Sequence, residues 1–274
     1  MSSFPQALSA VIGHLERSRE SGRVLGASRS ALERLHDTPT ATLLSLPISR
    51  PTARTTATPA ASGSGTKAER LARLQAIAAT CTKCPQLAAS RMSVVFGVGN
   101  PDSEIMFVGE APGADEDVQG EPFVGRAGQL LTKIIQTMGY RREEVYIANI
   151  LKCRPDTPGQ AAGNRPPTPE EMTTCFPYLI DQIEIIQPRV IVGLGSTAAK
   201  GLLGQTRPLG ELRGTWHDFR GTPLMVTYHP AYLLRNQALS EKRKAWEDML
   251  QVKERLGHAI SDRDRGYFLA KSSA

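Results

Sequence analysis

The chain has 274 residues, 40% of them hydrophobic and 22% charged, with a formal net charge of +6 and a pI near 9.3. That is enough chain for one large domain or two modest ones, and no run of 18 apolar residues occurs that would cross a membrane. The basic excess permits an anionic partner such as nucleic acid but does not require one.

At the N-terminus, Phe4, Leu8, Val11, Ile12 and Leu15 recur at helical spacing, so 1–39 is expected to be a helical extension. It would lie on the main domain or offer a docking element to another protein. Glu16, Glu20 and Glu33 argue against an organelle presequence, so an intracellular setting is expected. Residues 40–66 are rich in Thr, Ala, Ser, Pro and Gly and carry too little apolar surface to offset ordering entropy, which predicts a disordered linker.

Residues 67–258 read as one compact unit and 259–274 as a tail. A helix is expected over 68–79, and buried strands over 105–109, 145–150, 189–195 and 223–228. Helical patterns fall between and after them, at 126–138, 169–186, 196–203 and 240–256. Alternating strands and helices predict an α/β fold, with a mostly parallel four-stranded sheet covered on both faces in three α/β/α layers. In such sheets the site lies beyond the carboxyl ends of the strands.

The segment after the first strand, GEAPGADEDVQGEPFVGRAGQLL (109–131), brings Glu110, the acidic cluster Asp115, Glu116 and Asp117, and Phe123 to such an end. It lacks the pattern of a phosphate-cradling loop, and its carboxylates would repel phosphate. Asn149 closes the second strand and carries both a donor and an acceptor, as needed to read a base edge. After the third strand, Ser196 or Thr197 is a natural N-cap. After the fourth, Pro230 places His229, and Tyr232, Leu233 and Leu234 form an apolar loop closed by Arg235, of a kind that wedges into stacked bases. The four cysteines are Cys81, Cys84, Cys153 and Cys175. An intracellular setting argues against a disulfide, and a CxxC redox pair would leave two thiols unexplained. Four thiolates suit a structural Zn²⁺ or a [4Fe–4S] cluster equally, and spacing does not choose between them.

Five strings together, GEAPGADED, PFVGRAGQLL, IANILKCRP, NRPPTPEEMTTC and TYHPAYLLR, resemble the family-four uracil-DNA glycosylases, over about residues 78–250. The resemblance implies a monofunctional DNA glycosylase that flips uracil from single- or double-stranded DNA, hydrolyses its N-glycosidic bond and leaves an abasic site for base excision repair. It implies a uracil-DNA glycosylase-like fold, a monomer, and a cytoplasmic, nucleoid-associated bacterial enzyme. It assigns Glu110 as the carboxylate near the sugar, Glu116 as its helper and His229 as the donor to uracil O2. Phe123 would stack on the base and Asn149 would read its pairing edge. Tyr232, Leu233, Leu234 and Arg235 would fill the gap left in the DNA. Ala111 stands where the best-known uracil glycosylases carry an Asp, and Gly113 where they carry a bulky Tyr that excludes thymine. Cys81, Cys84, Cys153 and Cys175 match the ligands of the family's [4Fe–4S] cluster.

The chain departs from the family by an insert around Gly159–Gly163, expected to bulge outward. None of its five histidines, His14, His36, His217, His229 and His258, lies in an insert of the kind that bonds uracil covalently in a related subgroup. Two other readings compete: a non-catalytic module binding uracil or damaged DNA, and a metal-dependent hydrolase using the acidic cluster.

Overall fold

Strands that are apolar on both faces must bury both, and here two layers of helix do so. The computed structural model describes residues 63–157 and 160–269, all within one compact unit, Thr55–Ala274. The helix expected within 1–39 and nearly all of the linker at 40–66 lie outside the described residues. The elements begin with α1 (Lys67–Ala79), α2 (Pro85–Ser90), β1 (Val98–Gly99), β2 (Ile105–Gly109), α3 (Ala114–Gln119) and α4 (Arg126–Met138). Next come β3 (Tyr146–Asn149), β4 (Asp156–Thr157), β5 (Gln160–Asn164), α5 (Pro169–Ile186), β6 (Val190–Leu194) and α6 (Gly195–Leu203). The last are α7 (Leu209–Leu212), β7 (Trp216–Phe219), β8 (Thr222–Thr227), α8 (Pro230–Arg235), α9 (Leu239–Leu256) and α10 (Asp262–Gly266).

The main sheet has six strands in the order β1-β3-β2-β6-β8-β7. Its four inner strands are the expected ones, paired in parallel, and the expected four-stranded sheet is thereby corrected to six by an antiparallel strand at each edge. Both added strands are short and weakly apolar. The turn joining β7 to β8 carries Arg220 at φ 52° and Gly221 at φ 90°, the double left-handed pattern of a tight hairpin.

Alternation along β2 sends Met106 and Val108 into a core shared with α1 and α5, through Leu74, Leu179 and Ile183. Ile105 and Phe107 enter a second core on the other face, with Leu131 and Ile135 of α4 and Trp246 and Met249 of α9. The helices start and stop where their ends are satisfied. Thr168 and Glu171 form a reciprocal capping box ahead of α5, with Pro169 at its first position. Gly139, at φ 99°, ends α4 in the left-handed conformation. Ser196 and Thr197 are not caps. They lie inside the first turn of α6, whose flanking residue is Leu194.

The expected tail is part of the fold as far as residue 269. Trp246 Nε1 donates to the Asp264 carbonyl at 2.6 Å, and Lys253 Nζ pairs with the Asp264 carboxylate at 2.9 Å. Both contacts hold α10 against α9.

The end of β8 and the residue after α7 are both held to α9 through the buried Asp248 carboxylate. Asp248 is fully buried and accepts from Arg213 Nη2 at 2.6 Å, Arg213 Nε at 3.2 Å and Thr227 Oγ1 at 2.6 Å. Burial pushes its pKa up to about 6 despite these donors. Arg213→Met strands the carboxylate and is expected to lower the unfolding free energy by about 3 kcal/mol. Adding Asp248→Asn should restore part of that in urea unfolding, whereas equal losses in the two variants would count against this account.

Candidate active site

Register sets the floor of the cavity. Gly109 at the end of β2 pairs with Asn149 at the end of β3. A Cβ at Gly109 would lie 2.4 Å from Asn149 Oδ1 and 2.5 Å from the Phe123 ring, so only glycine lets those groups meet there. Phe123 is 6% exposed and sits at φ 56°, a left-handed conformation that a large side chain rarely adopts. Two neighbours hold it there. Arg142 Nη2 donates to the Pro122 carbonyl at 2.7 Å, and Gly128 leaves room where a Cβ would meet the Phe123 carbonyl oxygen at 1.7 Å. Asn149 Oδ1 is buried without a hydrogen-bond partner. A buried acceptor left open costs stability, and here it lies beside an aromatic ring at a cavity.

That cavity is open, has a volume of about 670 Å³, and is bounded by Glu110, Phe123, Asn149, Asn164, Tyr228 and His229 among others. The chain leaving β2 stays paired to the chain leaving β3, with Leu151 N–H donating to the Glu110 carbonyl at 3.1 Å. Glu110 and Ala111 therefore stand on a fixed wall.

The carboxylates of the acidic cluster are engaged by backbone. Glu116 Oε2 accepts from Gly113 N–H at 3.0 Å, and Oε1 accepts from Val124 and Gly125 N–H, both at 2.9 Å. Asp117, which unlike Glu116 is buried, accepts from Met92 and Ser93 N–H. Glu116, expected as a catalytic helper, forms a clasp joining the 110–113 loop to the loop bearing Phe123. The reading of the cluster as a metal site loses two of its three carboxylates to the same bonds. Space beside Gly113 is not empty, because a Cβ there would meet Glu116 Oε2 at 2.6 Å and Asn164 Nδ2 at 3.3 Å.

His229 caps α8, its Nδ1 accepting from Ala231 N–H at 3.1 Å. An Nδ1 that accepts leaves the ring proton on Nε2, so the neutral ring is a donor. Burial, with the Arg235 charge acting in the same direction, lowers its pKa to about 4. The ring lies 5.7 Å from that of Phe123, and a Cβ at Gly195, whose φ is 89°, would crowd its Cβ at 2.9 Å.

The expected apolar loop after His229 is instead the helix α8, and Leu233 is corrected from wedge to core at 4% exposed. Tyr232 and Leu234 are half-buried and Arg235 is exposed. Among the cavity residues given no role from the sequence are the polar Tyr228, and Asn164 and Arg165 at the end of the insert. The insert forms the β4–β5 hairpin. Its end turns back to the cavity, Asn164 Oδ1 accepting from Arg154 Nε at 2.8 Å. Arg165 makes two bonds to Glu171, which hold that carboxyl down at about 2. The sequence signal for these three was their place in the strings NRPPTPEEMTTC and TYHPAYLLR, which assigned them no task.

All four cysteines are free and border one recess beside Lys83, Arg91 and Tyr178. Cys153 Sγ accepts from Arg91 Nη1 at 3.3 Å and Cys175 Sγ from Lys152 N–H at 3.2 Å. Burial raises the thiol pKa of Cys84 and Cys153, and that of Cys175 to about 11. Among the described residues no group of three or more His, Cys, Asp or Glu is arranged to hold a metal ion.

Nitrogen NMR at pH 7 should find His229 protonated on Nε2 alone, with a titration midpoint near 4. Because the unfolded ring takes its proton near pH 6.5, stability from this residue is complete above about 6.5 and lost as pH falls toward 4. A midpoint near 6.5 would refute the burial account.

Residues 96–250 match the family described as the Uracil DNA glycosylase superfamily. A type-4 uracil-DNA glycosylase of Thermotoga maritima is 47% identical over 175 residues, 63% of this chain and 88% of that one. Another, of Archaeoglobus fulgidus, is 43% identical over 171 residues, 60% of this chain and 82% of its own. A type-5 uracil-DNA glycosylase of Thermus thermophilus is 28% identical over 201 residues, 59% and 86% of the two chains. The matched span contains the whole wall of strand ends from Gly109 to His229, and the chain belongs to the uracil DNA glycosylase superfamily, among its type-4 members.

Proposed function

We propose that this protein excises uracil from DNA by hydrolysing its N-glycosidic bond. The observation that carries the reading is the unpartnered Asn149 Oδ1 beside Phe123, across a cavity from a neutral His229 donor. Uracil offers N3–H to that acceptor. Cytosine presents a bare N3 at the same place and would leave the acceptor unpaired. A base must leave its stack to enter such a pocket, and the half-buried Tyr232 and Leu234 with exposed Arg235 face the strand it leaves.

Phe123 packs on the face of the flipped base while Asn149 holds its pairing edge. As the C1′–N1 bond breaks, its electron pair stays with uracil, and His229 Nε2–H hydrogen-bonds the negative O2. The sugar gains oxocarbenium character, which the Glu110 carboxylate stabilises while orienting a water. The water oxygen bonds C1′ and its proton goes to solvent or to the departing base, leaving an abasic site. Ala111 cannot activate that water, so the task falls to Glu110 and the polar groups opposite. Glu116 acts by position, and Glu116 with Asn164 fills the space over Gly113 that a thymine methyl would need.

The four cysteines fit a [4Fe–4S] cluster as its ligands. Lys152 is fully buried, and among the described residues its Nζ donates to two neutral acceptors, the Asn149 carbonyl at 2.9 Å and Gln182 Oε1 at 2.6 Å, while burial lowers its pKa to about 7. Such a cation is stable beside net negative charge, which four iron-bound thiolates provide. Cys81, Cys84, Cys153 and Cys175, which border one recess, would hold the cluster. The bound cluster would serve as a cross-link among the turn before α2, the chain after β3, and α5. The protein acts as a monomer on single- or double-stranded DNA in the bacterial cytoplasm, at the nucleoid. No helix among the described residues is long and apolar enough to cross a membrane.

A uracil-containing oligonucleotide should be cut after alkali treatment and its thymine counterpart left intact. Tight binding without an abasic product would instead favour the non-catalytic module. His229→Ala should lose about 10²–10³-fold in kcat, Glu110→Ala most turnover, and Phe123→Ala affinity for the base. Wild-type rates in all three would refute the assignment. The purified protein should be brown with about four irons per chain, whereas a colourless protein holding one zinc would overturn the cluster.

A further inference from the structure

Tyr228 and Tyr232 both border the cavity; Tyr228 has no task in the reading above, and Tyr232 is placed there only as facing the strand. Their rings lie 4.8 Å apart at 32°. The Arg213 guanidinium lies 5.1 Å from the centre of the Tyr228 ring, and Arg213 is itself fixed by Asp248 and by the Lys244 carbonyl at 2.6 Å. Tyr228 thus meets a cation and a second ring, and each pairing is of a favourable kind.

The stack is locked at its edge. Tyr232 Oη donates to Glu241 Oε2 at 3.0 Å and accepts from Asn236 Nδ2 at 3.0 Å. Burial and the same Glu241 carboxylate push the Tyr228 hydroxyl up to about 12. Tyr228 meets both Arg213 and Tyr232, while Tyr232 has no ring or cation partner besides Tyr228 among the described residues. Both rings remain half-buried, unlike the enclosed aromatics of the core.

We infer that the Arg213–Tyr228–Tyr232 stack is completed by a nucleobase of the DNA strand, the immediate neighbour of the flipped uracil. The flat, fixed, partly exposed ring at the rim of a base pocket is suited to a flat aromatic ligand of any sequence. The exposed Arg235 at the end of the same helix meets the strand's phosphates. The platform supplies sequence-tolerant grip on single strands, where no complementary strand holds the neighbour in place. Leu233, sealed in the core, cannot supply it.

This inference rests on the uracil reading, and the two fail differently. Single-stranded oligonucleotides are prepared with one uracil and with its 5′ or 3′ neighbour either intact or replaced by a tetrahydrofuran abasic unit. Wild type should lose about tenfold in kcat/KM, mainly through KM, when one of those neighbours is removed. Tyr232→Ala should show about the same loss on the intact substrate and no further loss on the abasic one. Tyr232→Trp, which keeps a ring, should keep the neighbour dependence. An enzyme that excises uracil but ignores both neighbours overturns the platform alone, as does a Tyr232→Ala variant with undiminished dependence. No excision by wild type on any substrate overturns the uracil reading first.

Discussion

Two parallel strands end side by side, and at that point one of them has no side chain. Gly109 and Asn149 are register partners, and the missing Cβ lets the Phe123 ring and the Asn149 amide close over the strand end. The surrounding features serve that contact. Phe123 reaches it through a left-handed backbone, Gly128 makes room for its carbonyl, and Arg142 holds the residue before it. The result is a ring and an open acceptor lining the same cavity as a neutral histidine that follows the end of β8, its ring 5.7 Å from that of Phe123.

Electrostatics joins this pocket to the cysteine recess. Lys152 gives its backbone N–H to Cys175 and its ammonium to the carbonyl of Asn149, so one buried cation touches both places. Arg91 donates a further hydrogen bond to Cys153 within the recess. Charge gathered on the four sulfurs would be balanced by groups that also fix the end of β3. The recess can then brace the base-reading edge without any contact with DNA or with the reacting atoms.

The four inner strands and the long helices were legible because their apolar residues recur with a clear period and their ends carry Thr-Pro, Gly and similar stops. The edge strands were not. Val98–Gly99 is two residues long, and Trp216–Phe219 turns through Arg-Gly rather than the commoner Asn-Gly. The positions of Glu110, Phe123, Asn149 and His229 around one cavity were legible from the rule that sites follow strand ends. The tasks of their neighbours were not, because hydrogen-bond partners far along the chain decide them. Glu116 reads as a spare carboxylate until its three backbone donors are seen, and Leu233 reads as a wedge until the helix that buries it is seen. The insert looked peripheral because only its end residues, Asn164 and Arg165, return to the cavity.

The Glu116 clasp also divides the energetics of the protein in time. Fixing one residue of backbone costs on the order of 1–2 kcal/mol of conformational entropy. Glu116 ties down residues three, eight and nine positions away, so both loops of the pocket meet that cost once, when the chain folds. A base arriving from DNA finds walls already at rest. Its own unstacking is then the main unfavourable step left at binding, and a base that is already poorly stacked is admitted most readily. Discrimination can therefore begin in the DNA, before any atom of the base is read.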